Sequence, residues 1–107
     1  MVSKTIMLVC SAGMSTSLLV SKMQKAAAAD GVEANIFAVS ASEADAKIQD
    51  DSNPVDVLLL GPQVRFMEGQ FKQKVAGKDI PVEVINMSDY GMMNGEKVLK
   101  RALELIK

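Results

Sequence analysis

A chain of 107 residues is at the short end of the single-domain range, and burying roughly 65% of its unfolded surface suffices for one modest core. Apolar residues make up 49% and charged residues 23%, which excludes a disordered composition. Twelve Lys+Arg against 13 Asp+Glu, with 4% aromatics, exclude an electrostatic or stacking footprint for nucleic acid.

The sequence has no histidine, so the commonest base and metal ligand are missing and phosphohistidine cannot form on this chain. Its one cysteine, Cys10, cannot make an internal disulfide or a cysteine-based zinc cluster. No metal or cofactor is therefore expected. A lone thiol without disulfides fits a reducing, cytosolic compartment. The apolar runs Ile6–Cys10 and Val57–Leu60 fall far below the ~18–20 residues of a helical membrane span. The start Met1-Val2-Ser3-Lys4 is followed by too short an apolar stretch for a signal peptide.

In chain order, the continuous apolar run Thr5–Val9 predicts a strand covered on both faces. Ser15–Ala29 predicts a helix, with Leu18, Leu19, Met23 and Ala26 or Ala27 at helical spacing and Gly31 as its left-handed stop. Glu33–Val39 is less apolar and predicts a strand near an edge. Ser42–Asp50 predicts a weak helix with Ser42 as cap, followed by a loop over Asp51–Pro54.

Val55–Leu60 reads as the most buried strand, stopped by Gly61-Pro62. Val64, Met67, Phe71 and Val75 form one apolar face of a helix over Gln63–Val75. Ile80–Ile85 predicts a fourth strand with Pro81 at its entry. Asn86–Gly95 reads as a loop, in which Asp89 suits a turn or cap position, with the general acid of a small phosphatase as the alternative. Leu99, Ala102, Leu103 and Ile106 line a final helix, whose Lys100, Arg101 and Lys107 suit the dipole at its C-terminus. Four strand–helix units with right-handed crossovers predict one α/β domain over residues 1–107, an open parallel sheet with helices on both faces.

In such sheets ligands bind beyond the carboxyl ends of the strands. The segment leaving the first strand is Cys10-Ser11-Ala12-Gly13-Met14-Ser15-Thr16-Ser17 and runs straight into a helix. It lacks proline, so every amide is free to donate. Small side chains and Gly13 let the main chain curl into a nest of N–H groups at a helix N-terminus. The same amides that hold phosphate oxygens stabilise a thiolate, so Cys10 is expected to be an activated nucleophile. Cys10 as a small hydrophobe ending a buried strand is the plainer alternative. Ser15, Thr16 and Ser17 read equally as ordinary helix caps. Met14, Met92 and Met93 suit gap filling or contact surface.

Cysteine-dependent tyrosine phosphatases use Cys-x₅-Arg, and the corresponding residue here is Thr16. Without the arginine clamp, water should attack a cysteinyl phosphate slowly. Retention of phosphate for a better-placed acceptor is what a phosphoryl carrier needs.

The run Thr5-Ile6-Met7-Leu8-Val9-Cys10-Ser11-Ala12-Gly13-Met14-Ser15-Thr16-Ser17-Leu18-Leu19, through Lys22 and Met23, resembles the start of enzyme IIB components of the lactose/cellobiose/chitobiose class of the sugar phosphotransferase system. Val55–Gln63 and Pro81–Ile85 resemble that family's third and fourth strand regions. The resemblance implies a strand order 2-1-3-4, similar in outline to low-molecular-weight tyrosine phosphatases. It implies Cys10 as the phosphorylated residue, with Ser11, Ala12, Gly13, Met14, Ser15, Thr16 and Ser17 as the phosphate cradle. It further implies a cytoplasmic monomer, transiently at the membrane transporter. Such a carrier takes phosphate from a phosphohistidine on enzyme IIA and passes it to a sugar on membrane enzyme IIC. A β-linked disaccharide such as cellobiose, chitobiose or lactose is the implied class of sugar. The alternative is a small phosphatase-like hydrolase.

Overall fold

The computed structural model describes residues 4–10, 14–49, 55–78 and 80–106, with the main chain alone for 14–17 and 63. The first strand, β1 (Lys4–Cys10), leads to helix α1 (Met14–Ala29), strand β2 (Ala34–Ser40) and helix α2 (Ala41–Gln49). Strand β3 (Val57–Leu60) is followed by a 3₁₀ segment, Pro62–Met67, and helix α3 (Glu68–Lys74). Strand β4 (Val82–Val84), a short helix α4 (Met87–Gly91) and helix α5 (Gly95–Leu105) complete the chain. The strands form one sheet in the order β2-β1-β3-β4, with every neighbouring pair parallel, as expected.

Strand β1 is central because its side chains can be covered on both sides. Ile6, Leu8, Val57, Leu59 and Ile36 face α1, α4 and α5, where Leu19, Met23, Tyr90, Val98, Leu99 and Ala102 close one core. Met7, Val9, Leu58, Leu60 and Val39 face α2 and α3, meeting Ala44, Ile48, Val64, Phe71 and Val75. Each fully buried Leu, Ile, Val or Met side chain stabilises the fold by about 1.5–3 kcal/mol. The less apolar β2 is an edge strand. The Glu33 carbonyl accepts from Lys4 N, so alternation turns the Ile36 carbonyl outward, where Gln24 Nε2 of α1 donates to it at 2.9 Å.

Several boundaries differ from the sequence reading for identifiable reasons. Strand β2 runs directly into α2, so Ser40, not Ser42, precedes the helix, and its hydroxyl donates to Glu43 Oε1 at 2.9 Å. Strand β3 begins two residues later than expected because Asp56 takes over the start of the ladder. Its amide donates to the Thr5 carbonyl, and its carboxylate accepts from Thr5 N at 2.7 Å. The expected loop Asp51–Pro54 lies outside the described residues.

The expected helix over Gln63–Val75 is split, with Val64 at φ −116°, ψ 22° inside the 3₁₀ segment. A spacing of three from Val64 to Met67 suits that tighter turn, and spacings of four through Phe71 to Val75 suit the α-helix. Strand β4 is three residues long, since Pro81 has no N–H and contributes only its carbonyl, to Leu58 N at 2.9 Å.

The last helix buries Val98, Leu99 and Ala102, whereas Leu103 and Ile106 are only partly covered. Arg101 does not serve the helix dipole. It pairs with Glu83 on β4 through two bonds of 2.7 Å, and Lys107 lies outside the described residues.

Helix α1 stops as its sequence predicts. Gly31 has φ +70°, Gly31 N donates to the Ala28 carbonyl and Val32 N to the Ala27 carbonyl. Gly95 has a different role, permitting close approach of α5 to α1. A β-carbon there would lie 2.6 Å from the Lys22 carbonyl carbon and 2.7 Å from Met23 N. These are main-chain atoms, so relief requires the helices to separate. Gly95→Ala is expected to destabilise the protein by about 1–3 kcal/mol in urea unfolding, with no change in secondary structure by circular dichroism.

Candidate functional site

Cys10 is the last residue of β1, at the carboxyl end of the sheet. Pairing with β2 sets it opposite Ser40, while β3 ends one register position short of it at Leu60. The next described residue, Met14, already begins α1. The thiol and the amino end of a sixteen-residue helix therefore share one end of the molecule. Amides of a first helical turn have no partner inside the helix, so this end favours negative charge.

Cys10 itself is 1% exposed, and its Sγ lies 4.0 Å from the Val39 carbonyl oxygen, at the long limit of a thiol hydrogen bond. Of the expected cradle, Ser11, Ala12 and Gly13 lie outside the described residues. Met14, Ser15, Thr16 and Ser17 form the first turn of α1 in their main chain, one residue earlier than the sequence predicts.

The remaining strand ends add elements that periodicity did not reveal. After β4, the expected loop contains helix α4. Asn86 caps it, its Oδ1 accepting from Ser88 N at 2.9 Å and Asp89 N at 3.2 Å. Asp89 stands in the first turn of this helix, in keeping with a turn or cap position. The helix ends with Met93 at φ 53°, where Met93 N donates to the Tyr90 carbonyl and Asn94 N to the Asp89 carbonyl. Glycine is the usual residue in that conformation, so a methionine there gives no stop signal in the sequence.

Residues Asn86, Asp89, Ile85, Val98, Glu83 and Arg101 border a cavity of about 330 Å³ beside the β4 edge. Hydrogen bonding from Arg101 is the main reason that the Glu83 carboxyl lies below its ordinary pKa, and the positive charge adds to it.

Four large apolar side chains are exposed among the described residues: Leu18, Phe66, Met87 and Met92. All four belong to segments that leave carboxyl ends of strands. Leu18 is in the early turns of α1, Phe66 in the 3₁₀ segment after β3, and Met87 and Met92 flank α4 after β4. Met92 and Met93 are neighbours with different environments. Met92 is 77% exposed, whereas Met93 packs against the core. No helix among the described residues is long and apolar enough to cross a membrane.

Residues 5–101 match the family described as PTS system, Lactose/Cellobiose specific IIB subunit. The chain is 53% identical over 107 residues to the galactose-specific EIIB component of Lactococcus lactis subsp. cremoris, covering 99% of each. It is also 53% identical to the cellobiose-specific EIIB component of Lactococcus lactis subsp. lactis, again over 99% of each. The oligo-beta-mannoside-specific EIIB component of Bacillus subtilis is 43% identical over 96% of both chains. Among solved structures, the cellobiose-specific IIB component of Borrelia burgdorferi has a TM-score of 0.77 at 42% identity, covering 98% of this chain and 93% of that one. The lactose-specific IIB domain of Streptococcus pneumoniae has a TM-score of 0.83 at 17% identity, covering 99% and 100% respectively, a likeness of fold.

The Glu83–Arg101 pair carries a pH dependence. A carboxyl whose pKa is lowered on folding stabilises the native state above its unfolded value, about 4.3 for Glu. That contribution is lost as pH falls through the lower, folded value. The difference in urea midpoint between the protein and Glu83→Gln is therefore expected to shrink as pH falls from 6 towards the acid limb.

Proposed function

The chain belongs to the lactose/cellobiose-specific IIB family of the sugar phosphotransferase system, and from that premise we propose that it is a phosphoryl carrier working through Cys10. The observation that carries this reading is the position of the only thiol, at the end of the central strand and four residues before the start of α1. The sulfur attacks the phosphorus of a phosphohistidine on enzyme IIA. The S–P bond forms as the P–N bond breaks, and the imidazole leaves with the electron pair. Amides of residues 11–17 donate hydrogen bonds to the phosphoryl oxygens, as a helix N-terminus does for anions. A hydroxyl of a sugar held by membrane enzyme IIC then attacks phosphorus as its proton passes to a base on that partner, and the cysteine leaves as thiolate.

No histidine on this chain is needed, since imidazole and thiolate are both good leaving groups. With Thr16 where phosphatases carry arginine, the guanidinium clamp that promotes attack by water is missing. The adduct lasts long enough to be handed on. Because Cys10 is 1% exposed, the sulfur must be uncovered when a partner docks. Docking and transfer are coupled, which further protects the adduct from hydrolysis.

Leu18, Phe66, Met87 and Met92 form the apolar part of the docking surface. One small surface meets a cytoplasmic donor and a membrane acceptor in turn, so each interface is transient. A β-linked disaccharide, such as cellobiose, chitobiose or lactose, is the proposed sugar class. The relatives named for galactose and for cellobiose are equally similar to this chain, so overall identity does not choose between them.

Incubation with phosphoenolpyruvate, the general phosphotransferase proteins and enzyme IIA is expected to put one covalent phosphate on Cys10. Cys10→Ser should lower acceptance at least about a thousandfold while retaining a cooperative unfolding transition. Turnover of an aryl phosphate without the partners would instead identify a hydrolase. Phe66→Ala is expected to raise the KM for phosphorylated enzyme IIA by about 5–30-fold. Its unfolding midpoint should stay unchanged, because the ring is 76% exposed.

A further inference from the structure

The methionines differ sharply in their access to solvent. Met7 and Met23 are completely buried, Met67 and Met93 are partly buried, and Met87 and Met92 are 62% and 77% exposed. The two exposed ones bracket α4 on the segment leaving β4, where they contribute half of the large apolar side chains presented to solvent among the described residues. A flexible thioether suits a surface that must fit two unlike partners, because it repacks at little cost. It is also the one apolar side chain that peroxides convert to a polar one.

We propose that Met87 and Met92 are sites of reversible oxidation by hydroperoxides, and that their oxidation weakens docking of the phosphoryl donor without unfolding the protein. The inference rests on the carrier reading above, since it needs a donor that docks on this surface. In each step a sulfur lone pair attacks the terminal peroxide oxygen and the O–O bond breaks. Sulfur loses two electrons as it becomes the sulfoxide, and the peroxide is reduced to water or an alcohol as a proton passes to the departing oxygen. The reverse step is the two-electron reduction carried out by methionine sulfoxide reductases. Buried Met7 and Met23 support the sheet and the α1 core, so sparing them leaves the fold intact.

Oxidation of Cys10 would obscure any assay of transfer, so the test reads binding. Cys10→Ser, with Cys10→Ala as a second background, is titrated with enzyme IIA by calorimetry before and after treatment with hydrogen peroxide. Peptide masses locate the added oxygen. Met87 and Met92 are expected to gain oxygen well before Met7 and Met23, the Kd to rise at least about fivefold, and the urea midpoint to stay constant. Sulfoxide reductases should restore the original Kd. On the same backgrounds Met87→Leu/Met92→Leu should show a treated-to-untreated Kd ratio near one, whatever its starting affinity.

Oxidation of Met87 and Met92 with an unchanged Kd overturns the proposal. So does equal reactivity of Met7 and Met23, or a loss of affinity that persists in the double variant. Absence of binding before treatment, together with failure of the unaltered protein to accept phosphate, overturns the carrier reading and this inference with it. Normal acceptance and binding with indifference to oxidation overturn this inference alone.

Discussion

The structure depends on β1 being buried on both faces. Ile6 through Cys10 are all within 1% of full burial, sandwiched between the α1–α5 layer and the α2–α3 layer. A strand in that position must satisfy its main chain on both edges, and parallel pairing with β2 and β3 does so. Parallel neighbours require crossover helices, and right-handed crossovers put helices on both faces. The end of β1 then becomes the junction where a buried strand hands over to a helix N-terminus. Cys10 occupies that junction.

That arrangement separates two tasks along the sheet. The core is continuous across the middle of the strands, where Phe71, Leu58 and Leu60 on one side and Leu19, Leu59 and Leu99 on the other exclude water. The segments beyond the carboxyl ends carry caps, short helices and exposed apolar side chains instead. Asn86, Asn94 and the left-handed Met93 hold a five-residue helix that has little core of its own. The core sets the position of the thiol, and the segments beyond it carry the exposed apolar side chains that the proposed mechanism assigns to docking. The proposed carrier role, in which two proteins are met in succession, would use that separation.

The same division fits the similarity of this chain to relatives named for different sugars. Galactose, cellobiose and oligo-beta-mannoside appear in the names of chains similar to this one over nearly their full length. A carrier needs to recognise phosphate and its protein partners, and in the proposed mechanism the sugar is held by the membrane component. On that mechanism, sugar choice is not expected to leave a trace in the sheet or its core.

Most element types and strand positions were legible in the sequence because each rests on local chemistry, and the same local chemistry marked Cys10 as the candidate nucleophile. Continuous apolar runs at Thr5–Val9 and Val57–Leu60 belong to buried parallel strands, Gly31 stops α1, and a single cysteine before a Gly/Ser segment and a helix singles out its own site. Other features come from distant residues and only the tertiary structure decided them. Asp56 shortens β3 by bonding Thr5, Glu83 of β4 pairs with Arg101 of α5, Gly95 is required by the main chain of α1, and Asn86 opens a helix too short to show a period. Exposure belongs to that second group as well. Hydrophobicity alone cannot distinguish the covered Met93 from the solvent-facing Met92, because burial depends on what the rest of the chain places above a side chain.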